Sequence, residues 1–207
     1  MHSSRLQKNK VVIFIPFSFK ENNQPLLAQA LEWQKQCQSA NKKVPEIIVY
    51  SDKDETGSEY QTPIHTQFSE KNVPKYTTIY LLSHGTNNPH WVANTNSNQD
   101  EYYKLPIELV AKRAKAMGLT PELAYSISSF RLYICEESTQ ADRSTTKSLA
   151  IHFARELGSE YDNLFLFYYS AKVFIPSLLD YDKTTRKRAM PASCYQSIQN
   201  VDTSVMS

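Results

Sequence analysis

The sequence predicts an α/β fold, a three-layer sandwich with a mostly parallel central sheet and helices on both faces, and three observations carry that expectation. Short apolar runs alternate along the chain with longer segments of helical period. The runs are β-branched and aromatic with little polar alternation, as in strands buried on both faces. At 207 residues, 41% of them hydrophobic, the chain can bury roughly 70% of its unfolded surface in one core. Such a core needs neither metal nor disulfide, and three cysteines, an odd number, fit reduced thiols rather than a disulfide framework.

Residues 1–10 read as an N-terminal arm, 11–176 as the α/β domain, and 177–207 as a basic segment with a Ser-rich tail. The first strand is Val11 to Ile15, a continuous apolar run. Pro25 opens a helix in which Leu26, Leu27, Ala30 and Leu31 recur at three- and four-residue steps, ending near Ser39 to Asn41. Val44 to Tyr50 forms the second strand, and Glu55 to Pro74, without period, a long loop. Thr77 to Ser83 is the third strand, ending in His84-Gly85, and a polar, asparagine-rich loop follows from Thr86 to Asp100. A helix from Pro106 to Met117 carries Ile107, Leu109, Val110 and Ala114 on one stripe, with Gly118 as its C-terminal stop. Phe130 to Ile134 is the fourth strand and runs into Cys135. A helix from Thr145 or Thr146 to Leu157 stops at Gly158, and Asn163 to Tyr169 is the fifth strand.

Charge excludes more than it assigns. With 23 basic and 21 acidic side chains, a net charge of +2, the chain is neither a strongly basic nucleic-acid binder nor an acidic solvating segment. The apolar stretch Val11 to Phe19 is broken by Pro16, too short to span a membrane, and followed by no small-residue cleavage site. Composition therefore places the protein in the cytosol, with no membrane partner and no specified oligomeric state.

Ligands of open parallel sheets bind beyond the carboxyl ends of the strands, and two reactive side chains belong to that edge. His84 follows the third strand and Cys135 the fourth, with one crossover helix between them, so the two strands are expected to be neighbours about 4.8 Å apart. An imidazole beside a thiol can take its proton or hold it as an ion pair, which makes the thiolate a nucleophile. Gly85 lets the backbone approach a substrate carbonyl, and the amides of Gly85 and Cys135 are candidate oxyanion donors. The plainer expectation is a small buried Cys at a strand end and a His serving a turn.

At these residues the sequence resembles caspases. Leu81-Leu82-Ser83-His84-Gly85 is similar to their histidine segment, and Leu132-Tyr133-Ile134-Cys135 to the strand that ends in their nucleophile. The closer likeness is to the self-cleaving cysteine protease domains of large bacterial toxins. It extends over an asparagine-containing loop, the helix at Ile107-Glu108-Leu109-Val110-Ala111-Lys112-Arg113 and the helix at Leu149-Ala150-Ile151-His152-Phe153-Ala154, about residues 10 to 170. The resemblance implies a caspase-like fold and a cysteine endopeptidase acting on a peptide or protein, with His84 as base or ion-pair partner, Cys135 as nucleophile, and no required cofactor. It also implies a bacterial effector exported without an N-terminal signal, and an inositol phosphate activator held by basic residues, here Lys183, Arg186, Lys187 and Arg188. A solvated surface is the simpler expectation for those four, since Asp180 and Asp182 adjoin them.

Other residues complete the candidate cleft: Asn87, Asn88, His90 and Trp91 in the loop after His84, and Ile134 and Glu136 flanking Cys135. Ile134 stands where the relatives carry a small residue, so it is expected to crowd the thiol or fill the specificity pocket. Glu136 and Glu137 disfavour a thiolate. These departures support the alternative reading, a catalytically impaired module that binds a peptide or protein at the same cleft. A zinc ion on Cys135, His84 and His90 lacks the tight ligand spacing such sites show, and no metal is expected. A nucleotide is disfavoured because Pro16-Phe17-Ser18-Phe19-Lys20, after the first strand, is no glycine-rich phosphate loop.

Overall fold

The computed structural model describes residues 10–52, 60, 64–95, 102–135, 143–169 and 195–197; residues 135, 143, 144 and 195–197 are described by their backbone alone. The strands are β1 (Val11–Ile15), β2 (Glu46–Val49), β3 (Thr78–Gly85), β4 (Trp91–Ala93), β5 (Lys104–Pro106), β6 (Ser129–Cys135), β7 (Leu166–Tyr169) and β8 (Tyr195–Ser197). The α-helices are α1 (Gln24–Ser39), α2 (Ile107–Ala116), α3 (Pro121–Ser126) and α4 (Arg143–Leu157). All eight strands belong to one sheet, ordered β2-β1-β3-β6-β7-β8, with β4 on β3 and β5 on β4. The neighbours β2, β1, β3, β6 and β7 are parallel, and β8 joins β7 antiparallel.

The chain winds from β1 outward to β2, then returns to the other side of β1 as β3 and continues to β6 and β7. The order therefore reverses between β1 and β3, the place where doubly wound sheets open a ligand crevice. The β3–β6 register pairs Tyr80 with Arg131, Leu82 with Tyr133 and His84 with Cys135; alternate residues of a strand share a face. Trp33 of α1 packs on Tyr80 and Tyr133 of that face, with ring centroids 5.2 and 5.1 Å away. On the opposite face Phe130 stacks on Phe153 of α4 at 5.2 Å. Helices thus cover both faces, and the three-layer α/β architecture is the one the sequence predicts.

Elements depart from expectation where they are short or paired at long range. The loop expected from Thr86 to Asp100 contains β4, which forms a hairpin with β5. Helix α3 starts on a Thr120 cap, whose Oγ1 accepts from the Leu123 amide at 3.2 Å. Strand β8 lies within 177–207, so this stretch adds a strand to the sheet rather than being wholly a tail. The expected N-terminal arm lies outside the described residues except Lys10, whose carbonyl accepts from the Thr78 amide. Gly118 and Gly158 end α2 and α4 at positive φ, +99° and +94°, as their positions in the sequence predict. No helix among the described residues is long and apolar enough to cross a membrane.

Candidate active site

β3 and β6 end together. Both are mainly apolar, with Arg131 the one charged position of β6, and their seven-pair register runs from Thr78–Ser129 to His84–Cys135. His84 and Cys135 are therefore register partners at the carboxyl ends of adjacent parallel strands, on one face of the sheet and beside the β1/β3 reversal. The Cys135 side chain lies outside the described atoms. His84 is buried, 7% exposed, on the face covered by α1, and its Nε2 lies 3.1 Å from the Gln29 side-chain nitrogen. Gln29 is a site residue that sequence reasoning missed: it is one polar position on a helix, and only the placement of α1 across β3 gives it meaning.

A hairpin closes the site on another side. β1 pairs with β3 only as far as Leu81, and beyond it β4 takes the same edge of β3, pairing His84 with Ala93 and Gly85 with Val92. Asn94 ties this hairpin down. Its amide nitrogen donates to the carbonyls of Glu21 and Asn22 at 3.1 and 2.9 Å, and its Oδ1 accepts from the Tyr103 amide. The turn after β1 is equally self-contained. The Ser18 amide donates to Glu21 Oε2 at 2.9 Å, and Phe17 and Ser18 are fully buried. A carboxylate of the chain itself thus holds the amide that a phosphate would seek, and this agrees with the absence of a glycine-rich loop.

Behind this turn lies a buried ion pair. Arg113 of α2 grips both oxygens of Glu21 at 2.6 and 2.7 Å, donates to the Pro16 carbonyl at 2.7 Å, and stacks 4.0 Å from the Tyr50 ring. Burial, opposed by the adjacent guanidinium, pushes the Tyr50 hydroxyl above its ordinary pKa. The arrangement fixes the turn after β1 to α2.

Other expected cleft residues divide. Asn87 and Asn88 are exposed on the loop after Gly85; Asn88 Oδ1 accepts from the His90 amide. Trp91 is 36% exposed at the start of β4. Ile134 does not fit the expectation. It is the register partner of Ser83, on the face opposite His84, and is 1% exposed in the core, so it neither crowds position 135 from the cleft side nor lines a pocket there. Glu136, Glu137 and the basic residues Lys183, Arg186, Lys187 and Arg188 lie outside the described residues.

His90 turns toward the other helical layer. Its ring centroid is 4.2 Å from that of His152 on α4, and His152 Nδ1 lies 3.0 Å from Glu108 Oε1 on α2. Burial chiefly, with His90 and Arg155 adding to it, lowers the His152 pKa against the opposing pull of Glu108. One ligand atom from each of the three residues lies within 4.8 Å of the others. The sequence offers no short spacing for this group, since its members are 18 and 44 positions apart on three elements.

Of the other cysteines, Cys37 is half-buried on α1, and burial raises its pKa against Lys42 and Trp33; Cys194 lies outside the described residues. Comparison with protein-family models, with characterised proteins and with solved structures finds no match to this chain.

Proposed function

We propose that the chain is a caspase-like cysteine endopeptidase working through Cys135 and His84. The observation that carries this reading is their register: an imidazole and a cysteine position opposite one another at the carboxyl ends of β3 and β6. In this mechanism His84 takes the Cys135 proton and the thiolate attacks the scissile carbonyl carbon. The backbone amides of Gly85 and Cys135 hold the oxyanion, and the imidazolium returns its proton to the departing amine. Water, deprotonated by His84, then attacks the thioester carbonyl and releases the carboxylate product and the thiol. The peptide enters along the exposed loop of Asn87 and Asn88. An inositol phosphate activator on Lys183, Arg186, Lys187 and Arg188, and action as an exported bacterial effector, belong to the same proposal.

One observation favours the second reading, an inactive caspase-fold module that binds a peptide or protein at this edge. His84 is buried and already paired with Gln29, as a purely structural histidine would be. Acyloxymethyl-ketone probes at pH 7 separate the two. The peptidase reading expects labelling of the native chain that disappears in Cys135→Ala and falls at least about a hundredfold in His84→Ala. Cys37, with its raised pKa, is the slow background thiol. Labelling that survives Cys135→Ala at the wild-type rate removes the assigned nucleophile, and a folded chain that no probe labels above the background favours the module.

A further inference from the structure

On the face of the sheet away from His84, three side chains converge that neither the proposed dyad nor the core requires. We infer that His90, Glu108 and His152 form a binding site for a divalent transition-metal ion of the zinc class, with water completing the coordination sphere.

The donor set selects the metal. Two imidazole nitrogens and one carboxylate oxygen suit zinc and its neighbours, whereas calcium and magnesium require mostly oxygen. In a tetrahedral site with bonds of about 2.0–2.1 Å, donors stand about 3.3 Å apart. His152 Nδ1 and Glu108 Oε1 are already 3.0 Å apart. His90 brings the third donor within 4.8 Å of both, so closing the site needs only about 1.5 Å of side-chain adjustment. Side chains of Glu108 and His152 are 33% and 16% exposed, which leaves a way in for the ion and room for a water ligand.

The site is also preorganised. α2 and α4 lie side by side, and one turn beyond Glu108 and His152 the next pair, Lys112 and Glu156, meets again at 3.8 Å. Lys115 then donates to the carbonyls of Glu156 and Leu157 at 2.9 and 3.3 Å. Two of the ligands therefore ride on a locked helix pair. The third is tied to them through the backbone: the His90 carbonyl accepts from the Ile107 amide at 2.9 Å, the residue next to Glu108, and the His90 amide donates to Asn88 Oδ1 at 2.9 Å. A bound ion would join the loop leaving β3 to both helices of the outer layer. It includes neither His84 nor Cys135, so it stands or falls independently of the peptidase reading.

The test is cobalt and zinc binding to the untagged chain after chelator treatment. One equivalent of Co²⁺ is expected to develop visible d–d absorption without a thiolate charge-transfer band. Zn²⁺ should displace it, and millimolar Mg²⁺ or Ca²⁺ should not. His90→Ala, Glu108→Gln and His152→Ala each should weaken binding at least about tenfold, while His65→Ala and Cys135→Ala leave it unchanged. Circular dichroism checks the fold; His90→Ala, in a loop, keeps the test open should the helix variants unfold. The proposal is overturned if no stoichiometric binding occurs or if His90→Ala binds as wild type. A near-UV thiolate band lost in Cys135→Ala, or displacement by Mg²⁺ or Ca²⁺, would overturn it equally.

Discussion

Gln29 is the point at which α1 reaches the carboxyl edge of the sheet. Its amide nitrogen lies 3.1 Å from His84 Nε2, while its Oε1 is buried and has no hydrogen-bond partner among the described residues. A carboxamide carries a donor and an acceptor, and a half-turn exchanges them. Gln29 can therefore donate to a neutral imidazole and accept from an imidazolium, as a base that cycles between the two requires. In the peptidase reading, Gln29→Ala should lower kcat about tenfold with little change in KM, since His84 is misplaced rather than removed. A positioning role has a sharper signature in Gln29→Glu. A carboxylate beside the ring raises its pKa by about one unit, so the acidic limb of the pH–rate profile, below which the imidazole is already protonated and cannot take the thiol proton, should move upward. An unmoved limb at full activity would remove Gln29 from the site. His84 and Cys135 were legible in the sequence because each directly follows an apolar run. Gln29 was not, because a glutamine on a helix face acquires its partner only through tertiary packing.

Between elements, the firmest joint is the one from α2 to the turn after β1. Side chains of Arg113 and Glu21 are 9% and 20% exposed, and removing one member of such a pair strands the other charge away from water. Glu21→Gln should cost about 3 kcal/mol in urea unfolding at an unchanged m value. Adding Arg113→Met should recover part of that loss, because the stranded charge is then gone. If the double variant is less stable than Glu21→Gln alone, the cost lies in packing and not in charge. The end of α2 supplies a second case. A Cβ at Gly118 would stand 2.7 Å from the Phe68 carbonyl oxygen, with φ at +99°. Gly118→Ala should therefore lose about 2 kcal/mol by the same measurement. Gly158→Ala has a similar φ but would meet only the flexible Glu160 carboxylate, and should lose about half as much. Both glycines were readable as helix stops. The β4–β5 hairpin was not, since three-residue strands are too short to show a period of two, and neither was α3, whose six residues make less than two turns. Its Thr120-Pro121-Glu122 start was the available signal.

At the scale of the molecule, parallel strands and intervening helices were legible as alternation, and the β3–β6 adjacency as a single crossover, but the rest of the order in the sheet was not: it depends on which face each crossover takes. That choice brings His84 to the reversal between β1 and β3, whereas alternation along β6 puts Ile134 in the opposite core. The fold also buries Tyr161 and Tyr168 and partly buries Tyr50, and their hydroxyls contribute to its response to alkali. Tyr161 is 7% exposed, and its hydroxyl donates to the Leu119 carbonyl at 2.6 Å; Tyr168 is 4% exposed. Burial raises the pKa of both, and of Tyr50, above the ordinary value, with Glu160 and Glu122 adding to the shift at Tyr161. The folded chain thus holds these protons to higher pH than the unfolded chain does. Their contribution is complete below the unfolded tyrosine pKa, near 10. As pH rises past that value the unfolded state binds fewer protons, and stability falls until the folded pKa values are passed. Tyr161→Phe loses a hydrogen bond worth about 1 kcal/mol at pH 7 but has no proton to lose. Thermal midpoints between pH 7 and 11 should therefore show wild type ahead at neutral pH and the gap narrowing above about pH 10. A gap that stays constant across that range would mean that Tyr161 titrates alike in both states, and its burial would then have no part in alkaline unfolding.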